Sequence, residues 1–175
     1  VYSQINGGHD NGSVIVEASQ TAEEGICLAS EFDLPHIFNK DVTPAMRETA
    51  KRFRLLNFLT CDTFEEIATA LQMGFLPQFP IQVGSNFVKF DNGFAGFAKG
   101  YGNHWVGADG MAFVNGKWGL DVPNTWGDPW GPFKNGRVYI EEKAVGGQGG
   151  TDDSYILIDA THDPEDPNLP PMPVE

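Results

Sequence analysis

The sequence predicts an α+β fold, with helices in the first half of the chain and antiparallel strands in the second. Three observations carry this. Two helix starts, at Thr43-Pro44 and at Thr63-Phe64-Glu65-Glu66, lie before Gly74. After Gly74, β-prone runs follow one another, separated by Gly and Asn turns. Glycine is abundant, at 21 of 175 residues, alongside four tryptophans. That mix favours a loop-rich mixed fold over a helical bundle.

Each element has its own signal. Residues 1–12, with Gly7-Gly8 and Asn11-Gly12, read as an N-terminal arm. Residues 13–16 form a short β-prone run. Residues 24–38 read as a helix, with Ile26, Leu28, Ala29 and Phe32 as its apolar face. Thr43 is an N-cap with Pro44 at the first helical position, and Met46, Ala50, Phe53 and Phe58 then recur near helical spacing. Thr63 with Glu66 forms a capping box. The helix it opens shows Phe64, Ile67 and Leu71 on one face, and Gly74 ends it. Strands are predicted over 81–88, 104–114, 117–122, 137–142 and 154–159, with Asn115-Gly116 as a hairpin turn. The tail from Asp159 holds five prolines and several acids and reads as extended. The chain thus divides into an arm (1–12), a single domain over 13–158 and a tail (159–175). Within the domain, 13–75 is helical and 76–158 strand-rich.

Bulk properties exclude several function classes. The net charge of −13 offers no basic face for nucleic acid. The one basic cluster, Arg47, Lys51, Arg52 and Arg54, reads as a solvated helix face. No apolar run is long enough to span a membrane, and no signal peptide opens the chain. Two cysteines, Cys27 and Cys61, cannot make a disulfide framework, which favours a reducing compartment or an assembled particle. No Cys-x-x-Cys or His-x-x-x-His occurs, so no metal site is expected, and no cofactor motif is present. Gly146-Gly147-Gln148-Gly149-Gly150 lacks the Lys-Ser/Thr of a P-loop.

The chemistry centres on a thiol. A thiolate attacks a carbonyl carbon well, and an imidazole beside it, or a helix N-terminus, favours that form. Cys27 falls near the start of the predicted helix over 24–38, and Gly25 just before it permits close approach of another segment. Further on, Gly102-Asn103-His104-Trp105-Val106-Gly107 begins a strand with a histidine. Asn124-Thr125-Trp126-Gly127 and Trp130-Gly131 follow it, closed by Asn135-Gly136.

These segments resemble the papain-like cysteine peptidases, in which a strand-borne His precedes an Asn-Ser-Trp-Gly…Trp-Gly…Gly segment. Thr125 stands where the family has Ser, and both Trp-Gly pairs are present. Gln20 stands before Cys27 as a Gln does in the family. Residues 65–74 followed by Pro80-Ile81-Gln82-Val83 resemble its segment ahead of the histidine. The resemblance covers about 14–158 and is densest over 104–136. It implies a helical part packed on an antiparallel sheet or barrel, with a peptide or protein substrate in the cleft between them. It implies Cys27 as nucleophile, His104 as the base that later protonates the leaving group, and Asn124 as the residue orienting the imidazole. Gln20 and the Cys27 amide would then form the oxyanion hole, with Trp126 shielding the Asn–His contact.

The chain departs from the family in places. Glu24-Gly25-Ile26-Cys27-Leu28 replaces Cys-Gly-Ser-Cys-Trp, so one family disulfide is missing. The interval from Cys27 to His104 is far shorter than the ~130 residues of papain-type enzymes. Glu23 and Glu24 put negative charge close to the thiol. The expected activity is cysteine-dependent hydrolysis of a peptide or amide through a thioester. The alternative is a catalytically silent papain-like module in a larger assembly, such as a phage particle, with the tail lying along a protein partner. Other candidates are weaker. His36 would face away from Cys27 on one helix. His9 and His162 sit in polar loops. Cys61 reads as a small buried residue, and the four tryptophans fit core packing better than a carbohydrate platform.

Overall fold

The computed structural model describes residues 15–27, 30, 42–100, 102–145 and 154–160. The arm over 1–12, the acidic tail after 160, most of the helix predicted over 24–38, and Gly146–Gly150 lie outside the described residues. The chain forms two compact units: 1–57 with 159–175, and 58–158.

In the first unit, α1 spans Ile15–Glu24 and α2 spans Pro44–Ala50. The β-prone run expected over 13–16 is therefore helical where it is described. Glu17, Ala18, Gln20, Ala22, Glu23 and Glu24 are good helix formers, and together they outweigh two β-branched residues at the start. The helix expected to begin at 24 does not: Glu24 is the last residue of α1, and 25–27 are irregular. Gly25 permits a close approach, as expected. A side chain there would overlap the Ala50 carbonyl, and the next residue, Ile26, donates its amide to Phe53 O at 2.9 Å. Thr43 caps α2 as predicted, but the helix stops at Ala50. Of the apolar residues that continued its period, Phe53 lies in the turn after the helix and Phe58 belongs to a strand, β1, Leu55–Cys61. A run of Leu, Leu, Phe, Leu and Thr suits a pleated strand, and pairing in a sheet decided between the two periods.

In the second unit, α3 spans Phe64–Gln72 behind the Thr63 cap. Thr63 Oγ1 accepts the Glu66 amide at 3.2 Å, and the Glu66 carboxylate accepts the Thr63 amide at 3.1 Å. The helix buries Phe64, Ile67, Ala68 and Ala70. The strands are β2 Pro77–Ile81, β3 His104–Gly107, β4 Gly110–Val114, β5 Lys117–Pro123, β6 Arg137–Glu141 and β7 Ser154–Ala160. They make two sheets, one in the order β1-β7-β2-β3 and one in the order β4-β5-β6. The pairings of β2 with β3 and β7, and of β5 with β4 and β6, are antiparallel.

Two strands differ from expectation. The run predicted over 81–88 is a strand only to Ile81; beyond it the chain turns, and Phe87 is buried from that turn. The run predicted over 104–114 is two strands in different sheets. The switch is at Ala108 and Asp109, whose amides go to Pro77 O at 3.0 Å in the first sheet and Asp121 O at 3.2 Å in the second. Asn115-Gly116 makes the predicted hairpin, both residues at positive φ. One core joins both sheets to α3, with Phe79, Ile67, Leu120, Val122 and Val138 fully buried at its centre.

Candidate active site

His104 is the first residue of β3, opposite Ile81. The residue before it holds the strand in place. Asn103 donates its amide to Ile81 O at 3.0 Å, and its side chain then clamps the next segment. Val83 N donates to Asn103 Oδ1 at 2.7 Å, and Asn103 Nδ2 donates to Val83 O at 3.0 Å. The carboxamide stands in for one more backbone pair past the end of the β2–β3 ladder. Reading from the sequence missed this residue. Asn103 is a generic turn residue until Val83 is seen beside it.

Asn124 follows directly after β5, at the start of the loop that returns to β6. Its amide donates to Gly136 O at 2.8 Å, closing the loop at its neck. Within the loop, Trp130 N binds Gly127 O at 3.0 Å and Gly136 N binds Trp130 O at 2.9 Å. The closed neck brings Asn124 to the histidine twenty residues earlier: His104 Nε2 and Asn124 Oδ1 lie 3.0 Å apart. The Trp126 ring stands 5.3 Å from the imidazole, tilted by 34°. Trp126 packs edge-on to Trp130 at 4.9 Å and to Phe87 at 5.5 Å, and Phe87 stacks on Trp130 at 5.9 Å. The two Trp-Gly pairs thus build an aromatic wall whose exposed member, Trp126, borders the His–Asn contact.

Next to the loop neck, Arg137 ties strand ends together. Its guanidinium donates to both carboxylate oxygens of Asp109, and its Nε donates to Asp121 Oδ1 at 3.0 Å. The Asp109 hydrogen bonds, with help from Asp121, drive the Arg137 pKa further up than burial lowers it, so the charge is fixed.

Cys27 and Gln20 belong to the first unit. Gln20 is exposed on α1. Cys27 is half-buried, not in a disulfide, and its Sγ–H donates to Met46 O at 3.3 Å. Cys61 is buried in the core of the second unit. Burial, then Glu66, then Asp62 push its thiol pKa up, as suits a structural cysteine. Of the basic cluster, Lys51 pairs with Glu48 at 2.7 Å and the Arg54 guanidinium donates to Glu23 O at 2.7 Å; all four residues are exposed.

A cavity of about 370 Å³ in the second unit is lined by Thr63, Glu65, Lys117, Trp118, Glu141 and Lys143. It opens at the Lys117 end of β5, while Asn124 lies past the other end. Among the described residues, no group of three or more His, Cys, Asp or Glu is placed to hold a metal, and no helix is long and apolar enough to cross a membrane.

No protein-family model matches the chain, and no curated protein does. Solved structures do match. The chain is similar to bromelain protease of Ananas comosus, solved with the E64 inhibitor, at a TM-score of 0.68 and 17% identity, over 90% of this chain and 77% of that one. It is similar to xylellain, a cysteine protease from Xylella fastidiosa, at a TM-score of 0.70 and 13% identity, over 86% of this chain and 63% of that one. It is also similar to digestive procathepsin L 3 of the Tenebrio molitor larval midgut, at a TM-score of 0.66 and 16% identity, over 85% of this chain. The chain spans 49% of that proenzyme. At such identities the shared property is the fold, and the fold of this chain is that of the papain-like cysteine proteases.

Proposed function

We propose that the chain is a cysteine-dependent hydrolase of peptide or amide bonds. Cys27 attacks the carbonyl carbon and forms a thioester. His104 takes the thiol proton and returns it to the leaving amine. Asn124 orients the imidazole, Trp126 shields that contact, and Gln20 with the Cys27 amide receives the oxyanion. Water then releases the acid and regenerates the thiol. The observation that supports this best is the His104–Asn124 hydrogen bond at 3.0 Å beside the Trp126 ring. The fold shared with bromelain and xylellain adds to it and favours a peptide or protein substrate.

The test is the pH dependence of Cys27 alkylation by iodoacetamide, with His104→Ala as control. A fast reaction well below pH ~8.5, the ordinary thiol value, and its loss in the variant are expected. Alkylation that follows an ordinary thiol titration in both proteins would overturn the proposal.

A second reading rests on one contact. The Cys27 Sγ–H donates to the Met46 carbonyl, a bond only the protonated thiol makes. On that reading the module is silent and acts in an assembly, with the acidic tail over 159–175 as a partner-binding segment. Cys27→Ala would then leave its role unchanged.

A further inference from the structure

We infer that the backbone amide of Thr125 selects the tautomer of His104, acting through the Asn124 side chain. Asn124 Oδ1 sits between two groups: the Thr125 N–H at 2.8 Å and His104 Nε2 at 3.0 Å. A backbone N–H can only donate, so the carboxamide end it meets is the oxygen. That oxygen can only accept. The imidazole nitrogen facing it therefore carries the hydrogen, and in the neutral ring Nδ1 keeps its lone pair.

The alternative arrangement differs by one flip. With the carboxamide turned over, Nδ2 would donate to a bare Nε2, and the ring hydrogen would move to Nδ1. The His–Asn contact would survive at the same distance. Only the Thr125 N–H opposes this state, because it would then face another donor. Asn124 Nδ2 is buried without a hydrogen-bond partner, and the flipped group would leave Oδ1 unpaired in the same place, so this cost is shared by both orientations. The Thr125 N–H makes the difference, and with it removed the two orientations come close in energy. Thr125 is thus a positioning residue by its main chain, whatever its side chain.

The consequence for activity rests on the proposed hydrolase reading; the tautomer itself does not. A base that receives a proton at Nδ1 needs the hydrogen on Nε2. In a Ser–His–Asp hydrolase, holding the imidazole in the wrong tautomer lowers kcat by about 10⁴-fold.

The test is ¹⁵N NMR of the His104 ring in the full chain, assigned with His104→Gln and recorded with the ring neutral. In the wild type and in Thr125→Ala, which keeps the amide, a single Nε2–H tautomer is expected. Thr125→Pro removes the N–H, and a mixture or an Nδ1–H ring is expected. Adding Asn124→Asp to Thr125→Pro should restore the Nε2–H ring, because a carboxylate has no donor end to turn. A pure Nε2–H ring in Thr125→Pro, or an Nδ1–H ring in the wild type, overturns the inference. If Thr125→Pro does not fold, hydrogen exchange decides. The Thr125 amide should exchange slowly in the wild type and faster in Asn124→Ala; free exchange in the wild type overturns the inference too. Slow Cys27 alkylation alongside the expected tautomers would count against the hydrolase and leave the Thr125 assignment standing.

Discussion

Gly127 and Gly131 end the two Trp-Gly pairs, and the structure gives them different reasons to be glycine. Both have positive φ, +90° and +91°, outside the region other L-residues favour. A side chain at 127 would meet nothing nearer than Pro129 Cδ at 3.8 Å, an ordinary contact. A side chain at 131 would collide with the Arg137 carbonyl oxygen, which is backbone and anchored by β6. Gly127→Ala therefore carries only the conformational cost, about 1–2 kcal/mol. Gly131→Ala carries that cost plus overpacking of roughly 1–3 kcal/mol, about 2–5 in all. With a urea m-value of about 2 kcal/mol per molar, the midpoint should fall by roughly 0.5–1 M at 127 and 1–2.5 M at 131. Tryptophan fluorescence follows the loop, since Trp126 and Trp130 lie in it. The effect should reach the site as well, because the same loop holds Asn124 through Gly136 O. The His104–Asn124 bond should loosen in Gly131→Ala more than in Gly127→Ala. Equal midpoint shifts, or a larger one at 127, would refute the reasoning.

Other outcomes follow from single contacts. Asn103→Ala removes two hydrogen bonds at an exposed position where water replaces them, so the loss should be about 1 kcal/mol; amide exchange should speed up at Val83 and not at Val106. Arg137→Met leaves Asp109 and Asp121 facing each other without their cation. A partly exposed network predicts about 1–2 kcal/mol lost, less in high salt, by denaturation at two salt concentrations. The amides of Asp62, then Thr63, hold the Glu66 carboxyl below its usual range, so its contribution is complete above the ordinary Glu pKa and fades as pH falls through the lowered folded value. The stability gap between wild type and Glu66→Gln should shrink on acidification. The Cys61 thiol is shifted the other way, by burial first. Its contribution is complete below the ordinary thiol pKa and is lost as pH rises through the raised folded value. Native Cys61 should resist iodoacetamide at neutral pH and label only on unfolding, as peptide mapping would show.

The sequence by itself determined the elements that close over a few residues. The Thr63 capping box, the Thr43-Pro44 helix start and the Asn115-Gly116 hairpin each depend on neighbours three or four positions away, and each stands where expected. His104 and Asn124 were candidates through the family resemblance that the Trp-Gly pairs carry. Tertiary structure decided the rest, wherever a segment had two local options. Phe58 continued the helical spacing opened at Pro44, but sheet pairing made residues 55–61 a strand. Residues 104–114 read as one continuous strand. The Pro77 and Asp121 carbonyls, one in each sheet, divide it at Ala108 and Asp109. Asn103 and the Thr125 amide carry no signal of their own, since any turn offers an Asn or a free N–H. Their roles exist only because folding brings Val83 to the first, and brings His104 to the Asn124 oxygen that the second already meets; partners twenty residues away are what a local pattern cannot name.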